Sequence, residues 1–159
     1  MDKAEFNAAV ERYQDTVYRA ALHVFGNRQD AEDAVQEVFL RLYAANKTFS
    51  GETYLRRWLL RVTVNVCRDV LKSPWRKKRV YLETLPETPV FDAPEQRELY
   101  QAVMALPEKY RTVLNLFYYE ELSVREIADI LETSPSTVTT RLSRARTHLK
   151  NRLEVWQDE

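Results

Sequence analysis

The chain has 159 residues, of which 45% are apolar and 30% charged, and its 24 basic side chains balance its 24 acidic ones. This length and composition indicate one moderate or two small soluble domains, and they argue against a large multidomain enzyme or a membrane-spanning protein. Zero net charge also argues against a protein that coats nucleic acid through charge alone.

Rare residue types narrow the possible chemistry. Cys67 is the single cysteine and the chain has 2 glycines, so an internal disulfide, a cysteine zinc site and a glycine-rich phosphate loop are excluded. Neither of the two histidines has a metal-ligand partner at helical spacing, and the sequence indicates no nucleophile–base set, so we expect no cofactor, no metal and no enzymatic activity. The amino terminus, MDKAEFNAAVERY, lacks the basic and apolar segments of a secretory signal, so we expect a cytoplasmic protein.

Apolar spacings of three and four residues predict three helices in the first part of the chain. The first ends at Gly26 and Asn27, and the second runs from about Asp30, as its cap, to Asn46. The third runs from about Thr53 to Lys72. Asp69 falls on its apolar side, where we expect a nearby arginine to pair with the carboxylate. We predict that residues 1–73 form one small helical domain.

Four of the six prolines lie within residues 74–94, which predicts a flexible linker there. Residues 95–159 then carry the apolar pattern of four further helices, one of which starts at Pro107. Ser123 and Glu126 form a predicted capping box, and Ser134 with Pro135 opens the last helix. The sequence therefore predicts an all-α fold of two small helical domains joined by a linker.

Charge is segregated along the chain. Between Arg56 and Arg79 there are nine basic side chains and one acidic side chain, and from Thr137 to Leu153 there are five basic and none acidic. On the third helix, Arg57, Arg61, Arg68 and Lys72 form one cationic stripe with Asn65 at its border. Phe49, Tyr54, Trp58 and Trp75 lie close by, and cations beside stacking rings are typical of single-strand binding. Single aromatic residues in such positions more often belong to the core, and for Trp58 the core role is the favoured interpretation.

The segment from Ser123 to Arg144 has the spacing of a helix-turn-helix, whose second helix enters the major groove. The exposed positions of this second helix interleave hydroxyls with arginines, and its first two turns contain no acid, which suits phosphates and base edges. An αα-corner with a solvated charged face is the alternative. The acidic face of the second helix, with Asp30, Asp33 and Glu37, is on composition alone an ordinary solvated surface.

In their order and spacing these segments resemble the small extracytoplasmic-function (ECF) sigma factors of bacterial RNA polymerase. The motif of the first domain is DAEDAVQEVF at Asp30–Phe39, followed by WLLRVTVN at Trp58–Asn65 and by Asp69. That of the second domain is LPEKYR at Leu106–Arg111, followed by Glu126–Ala128, Thr137–Val138 and Arg141–Arg146. The resemblance covers nearly the whole chain and implies sigma domain 2 at 1–73 and a winged-helix-like sigma domain 4 at 95–159.

The resemblance also implies partners for particular residues. Two sets of residues would bind core polymerase. The clamp helices of its largest subunit would contact Asp30, Asp33, Gln36 and Glu37. The flap of its second-largest subunit would contact Leu114, Phe117 and Tyr118. The melted minus-ten element, with one base flipped out at Asn65, would be bound by Phe49, Trp58, Arg61, Asn65, Arg68 and Lys72. The minus-thirty-five duplex would be bound by Ser136, Thr137, Thr139, Thr140, Arg141, Ser143, Arg144 and Arg146. An anti-sigma factor is a further expected partner, and no membrane insertion is expected.

Two positions depart from the family pattern. Ser136 stands where glycine is usual, and Thr139 stands where lysine or arginine often contacts DNA. We therefore expect weak affinity for the upstream element or an unusual sequence in it. The alternative function is a free-standing helix-turn-helix regulator that binds a palindromic duplex without polymerase, and a helical enzyme is a third, less supported hypothesis.

Overall fold

The computed structural model describes residues 1–74 and 93–157, and the side chains up to residue 153. These residues form seven α-helices and no strand, which confirms the predicted all-α fold. The chain divides into two compact units, Met1–Leu82 and Glu83–Glu159. Most of the predicted linker, 74–94, lies outside the described residues, so the domain boundaries stay a prediction.

The first unit is built from three helices: α1 (Lys3–Phe25), α2 (Arg28–Ala45) and α3 (Glu52–Lys72). Each of them packs against the other two. Their apolar faces meet in one core, whose most deeply buried side chains include Val17, Ala21, Val38, Leu42, Leu59 and Cys67. Cys67 is completely buried and acts there as a small apolar side chain.

The junction between α1 and α2 differs from the prediction at its cap. Gly26 ends α1 in the left-handed conformation, with φ of 75°, as expected. Asn27 then caps α2: its side chain accepts from the Asp30 backbone N–H at 2.9 Å and donates to the Asp30 carboxylate at 3.0 Å. The expectation that Asp30 is the cap was wrong, because Asn27 directly follows the turn and starts the helix earlier. Asp30 is instead 2% exposed in the first turn.

Asp69 lies on the surface of α3, so its predicted place on the apolar side was also wrong. It is three residues from the buried Val66, which puts it about 60° around the helix, and that rotation carries the carboxylate into solvent. Among the described residues Asp69 forms no ion pair, and the expected arginine partner is not observed.

The second unit contains α4 (Pro94–Met104), α5 (Glu108–Leu114), a π-helical segment (Asn115–Tyr119), α6 (Val124–Leu131) and α7 (Pro135–Gln157). The last helix packs against α4, α5 and α6 and so forms the centre of this unit. Its core includes Ala102, Val113, Leu116, Ile127, Val138 and Leu142. Pro94 starts α4 at its first position, whereas the sequence suggested that the linker extends through it.

Two capping arrangements define the helix-turn-helix formed by α6 and α7. The Glu126 backbone N–H donates to Ser123 Oγ at 3.1 Å, and the Ser123 N–H donates to the Glu126 carboxylate at 3.2 Å, which confirms the capping box. Glu132, in the left-handed conformation, ends α6. Ser134 Oγ accepts from the Thr137 N–H at 3.1 Å, so the predicted cap of α7 is present.

Candidate nucleic-acid and protein interfaces

The outward face of α7 carries the hydroxyls and arginines that the sequence singled out. Val138, Leu142 and Ala145 are buried on its opposite side and hold the helix against the unit. Thr137 and Arg141 are half-buried at the edge of the face, and the exposed residues are Ser136, Thr139, Thr140, Ser143, Arg144 and Arg146. The eight predicted positions therefore share one accessible surface.

A groove of about 230 Å³ runs between this face and the start of α5. Its lining comprises Lys109, Tyr110, Ser136, Thr137, Thr140, Arg141 and Arg144. No carboxylate lines the groove, and none of its three cations forms an ion pair within the described part of the chain. Lys109 is placed over the Tyr110 ring, with Nζ 5.1 Å from the ring centroid. Such a groove attracts an anion because nothing in it neutralises the positive charge.

Lys109 was missed by the sequence analysis. The LPEKYR motif puts it in the first turn of α5, but only the packing of α5 against α7 brings it beside the exposed face of α7. The arginine of the same motif has a structural role. Arg111 Nη1 donates to the Leu106 carbonyl at 2.8 Å, and burial lowers the pKa of its guanidinium.

Arg146 and Tyr118, which the sequence assigned to different partners, contact each other. Arg146 Nε donates to the Tyr118 hydroxyl at 2.6 Å, and the guanidinium lies over the rings of Tyr118 and Phe117, 5.6 Å and 5.8 Å from their centroids. The two rings meet edge to face at 4.9 Å. Leu114, the third residue assigned to the polymerase flap, is 5% exposed, so only Phe117 and Tyr118 of these three residues are accessible to a partner.

On α3, Asn65 lies between two cations. Arg61 is four residues before it and Arg68 three residues after it, so the three side chains neighbour one another on one side of the helix, and all are half-buried. Lys72 continues this side and is exposed. The sequence prediction of a cationic stripe with an amide at its border agrees with these positions.

An aromatic cluster lies nearer the start of α3. Phe49 packs edge to face against Trp58 at 5.4 Å and contacts Tyr54 at 6.0 Å. Trp58 is half-buried against the core and Tyr54 is 51% exposed. Seven residues separate Trp58 from Asn65, about 10 Å of helix, so the cluster and the amide lie at different points along the cationic stripe.

The loop that carries Phe49 is anchored to α1 at its carboxyl end. The hydroxyl of buried Tyr13 donates to the Glu52 carboxylate and, at 3.3 Å, to the Glu52 carbonyl, and Arg12 Nη1 lies 3.7 Å from the same carboxylate. Burial, and then the bond to Glu52, raise the pKa of Tyr13. Gly51 is the N-cap of α3 and adopts a φ of 149°. This arrangement holds the loop end against the first helix.

The acidic face of α2 borders a groove shared with α3. Asp33 and Glu37 are exposed at its rim, Asp30 is buried in its wall, and Asp69 contributes a fourth carboxylate from α3. Glu37 is paired with Arg41 at 3.1 Å, an exposed ion pair of small energetic effect. Elsewhere on its surface, α2 presents two exposed apolar side chains, Leu40 and Tyr43, that the sequence analysis did not identify, and the Tyr43 ring meets Phe6 of α1 edge to face at 5.2 Å.

Comparison with known proteins identifies the family. Residues 9–77 match the family model "Sigma-70 region 2", and residues 96–149 match "Sigma-70, region 4". The chain is 32% identical to the ECF RNA polymerase sigma factor SigW of Bacillus subtilis, over 96% of this chain and 90% of that protein. The chain belongs to the ECF sigma factors. It is also 29% identical to the ECF sigma-E factor of Haemophilus influenzae, over 96% and 89% of the two chains.

Solved structures show the same fold as this ECF sigma factor. The sigma factor RpoE of Bartonella quintana, in complex with the anti-sigma factor NepR, superposes with a TM-score of 0.71 at 21% identity, covering 95% of this chain and 98% of that one. CnrH, in complex with the cytosolic domain of CnrY, superposes with a TM-score of 0.66 at 24% identity, covering 97% and 90%.

The family assignment confirms the promoter-recognising function that the motifs predicted, and it does not favour a free-standing regulator. The region 2 match contains α2 and α3, and the region 4 match contains α6 and the part of α7 up to residue 149. Across the described ranges of this ECF sigma factor, none of the helices combines the length and apolar character that crossing a membrane requires.

Proposed function

We propose that this ECF sigma factor acts as a dissociable specificity subunit whose first unit binds core polymerase and the melted minus-ten strand, and whose second unit reads the minus-thirty-five duplex. The observation that carries the proposal is the presence, on each unit, of a cationic helix face with polar side chains suited to nucleic acid: α3 around Asn65 and α7 around Thr140.

In the first unit, we assign the carboxylates of the α2 groove to core polymerase. Asp33 and Glu37 are exposed there, and four carboxylates close together favour a strongly basic partner surface. Asp30 differs from them because Asn27 already binds its carboxylate and it is buried. Its contribution is therefore to shape the groove and the start of α2, while Gln36, Asp33 and Glu37 make the direct contacts.

On α3, Asn65 holds a base flipped out of the minus-ten element, and Arg61 and Arg68 on either side bind the flanking phosphates. A side-chain amide carries both a donor and an acceptor and so matches a base edge, whereas guanidinium groups match phosphates. The Phe49, Tyr54 and Trp58 cluster, about 10 Å away along the helix, stacks with a different nucleotide of the same strand.

In the second unit, α7 enters the major groove of the minus-thirty-five element. Thr139, Thr140, Ser143 and Arg144 read base edges. The groove beside α7, with Lys109 and Arg141, binds a backbone phosphate and adds a contact from α5 that fixes the orientation of the reading helix.

An anti-sigma factor is part of this proposal. Two structures with the same fold, RpoE and CnrH, were solved with an anti-sigma factor and with the cytosolic domain of CnrY, respectively. The exposed Leu40 and Tyr43 on α2 supply apolar surface of the kind that protein partners cover.

Run-off transcription tests the function directly. The purified protein is added to bacterial core polymerase over a pool of candidate promoters, and new, discrete start sites that require the protein are expected. Stable binding to core polymerase without any transcript would contradict promoter recognition, and no binding at all would return the free-standing regulator to first place.

The assignment of the α2 groove is tested by reversing the charge of Asp33 and Glu37 together. The double variant Asp33→Lys, Glu37→Lys should bind core polymerase at least about tenfold more weakly, because attractive charge pairs become repulsive. Glu11→Lys, Glu5→Lys on the exposed surface of α1 is the matched control for net charge. Equal dissociation constants for the two double variants would refute the assignment.

A further inference from the structure

We propose that Tyr118 is a positioning residue for the minus-thirty-five contact: its hydroxyl and ring, with the Phe117 ring, hold the Arg146 guanidinium in place to bind one backbone phosphate. This inference rests on the proposed function, and it replaces the assignment of Tyr118 to the polymerase flap. The observation that carries it is the contact between Arg146 Nε and the Tyr118 hydroxyl at 2.6 Å.

Arg146 lies at the edge of the reading face. It is three residues after Ser143 and seven after Thr139, so the three side chains follow one stripe along α7. This stripe borders the side of α7 on which the π-helical segment presents Tyr118, and Arg146 is exposed there. A guanidinium at the rim of a reading helix is suited to the DNA backbone rather than to a base edge.

The contacts of Arg146 orient its guanidinium without neutralising it. Arginine has five N–H donors, and the bond from Nε to Tyr118 uses one, which leaves the four on the terminal nitrogens for a second acceptor. The guanidinium also lies over both aromatic rings, 5.6 Å and 5.8 Å from their centroids, which restricts its motion. Within the described residues Arg146 forms no ion pair, so its full charge is available to a phosphate.

A carboxylate at position 118 would orient Arg146 equally well but would cancel its charge, and an aliphatic residue would leave it mobile. The phenol hydroxyl does neither. A long side chain that is already ordered loses less conformational entropy when it binds a phosphate, so the contact is stronger than that of a free arginine. Tyr118 thus improves DNA binding without touching DNA.

The test is a double-mutant cycle on holoenzyme, assembled from the full chain and core polymerase, with a promoter duplex identified by run-off transcription. Tyr118→Phe keeps the ring and removes the hydroxyl, and we expect binding about three- to tenfold weaker with an unchanged dependence on salt. The logarithm of the association constant falls as the logarithm of the salt concentration rises, and Arg146→Ala should make this slope less steep by about 0.9, the value for one phosphate contact. Adding Tyr118→Phe to Arg146→Ala should weaken binding no further.

Two variants separate positioning from a general structural effect. Tyr119→Phe removes the neighbouring hydroxyl, which does not contact Arg146, and should bind like the native protein. Arg146→Lys keeps the charge and the salt slope but cannot make the Nε bond, so its binding should be insensitive to Tyr118→Phe. Thermal unfolding of each variant shows whether it retains the fold.

Three results would overturn the inference: native affinity in Tyr118→Phe, additive losses in the double variant, or a salt slope unchanged by Arg146→Ala. A loss in Tyr118→Phe confined to binding of core polymerase would return the residue to the flap. The proposed function fails separately, if the native protein directs no transcription from any promoter. If the native protein does transcribe and Arg144→Ala weakens promoter binding while Tyr118→Phe does not, only the positioning role is refuted.

Discussion

Tyr13→Phe should destabilise the first unit by about 1 kcal/mol, because it removes the hydroxyl that joins α1 to the start of α3. Tyr13 is 6% exposed and donates to the Glu52 carboxylate, whose side chain is 59% exposed. A hydrogen bond to a charged group contributes about 1.5–3 kcal/mol. Since water reaches the exposed carboxylate and replaces part of that bond, about 1 kcal/mol remains. The melting temperature should fall by about 4–8 °C.

The same bond predicts how the effect depends on pH. Burial first, and then the bond to Glu52 and its charge, raise the pKa of Tyr13 above its ordinary value of 10.0. The folded state therefore favours the neutral phenol, and the stabilisation is complete below 10.0 and is lost as the pH rises through the raised pKa. The difference in stability between the native protein and Tyr13→Phe should stay constant at neutral pH and narrow in strong alkali.

Urea unfolding measures this difference if Trp58, which packs half-buried against the core of the first unit, is the fluorescent reporter. Trp75 and Trp156 are replaced by Phe in every chain compared, so that only Trp58 emits. With a slope of about 1 kcal/mol/M, the expected loss moves the midpoint by about 1 M. Tyr43→Phe is the matched control, because Tyr43 is 68% exposed and its hydroxyl has no hydrogen-bond partner in the described ranges. Equal midpoints for Tyr13→Phe and Tyr43→Phe would refute the reasoning.

The remaining predictions concern one residue each. Asn65→Ala should leave binding to core polymerase intact and reduce the permanganate reactivity of the melted minus-ten thymines, because the flipped base loses its amide partner. Lys109→Ala should lower the salt slope of promoter binding by about 0.9, because the groove beside α7 loses one phosphate contact. Ser123→Ala should destabilise the second unit by about 1 kcal/mol, measured by thermal unfolding, because it removes one half of the capping box.

Each of these has a control. Unchanged permanganate reactivity in Asn65→Ala would exclude this residue from base capture. Lys3→Ala removes an exposed lysine from α1 and should leave the salt slope as it is, so equal slopes for Lys3→Ala and Lys109→Ala would contradict a phosphate contact in the groove. Ser123→Thr keeps a capping hydroxyl and should retain most of the stability; a loss as large as that of Ser123→Ala would show that the cap is not the cause.

The helices and their order were predictable because their signals are local. A helical face repeats every three to four residues, so the buried sides of α1, α2 and α3 could be read from apolar spacing. Caps act over three residues, and the bonds of Ser123 and Ser134 are present as predicted. The exposed face of α7 followed from the same periodicity, because the residues opposite its buried stripe must be exposed.

The errors arose where two local signals competed. Asn27 and Asp30 can both cap a helix, and the turn at Gly26 decided in favour of Asn27. Asp69 lies only about 60° around α3 from the buried Val66, and the edge of an apolar face cannot be located that finely from sequence spacing. The π-helical segment had no sequence signal: it buries Asn115, whose Oδ1 has no hydrogen-bond partner in the residues that the structure describes.

By itself the sequence determined the all-α fold, the helix-turn-helix and the family, because periodicity, caps and motif order are written along the chain. Only the tertiary structure decided which distant residues meet. Tyr13 reaches Glu52 across 39 residues, and Arg146 reaches Tyr118 across 28. Lys109 joins the α7 groove through the packing of α5. Such contacts depend on how the helices pack against one another. Each of these residues also has a plausible role on its own helix, so nothing in the nearby sequence indicates which distant residue it contacts.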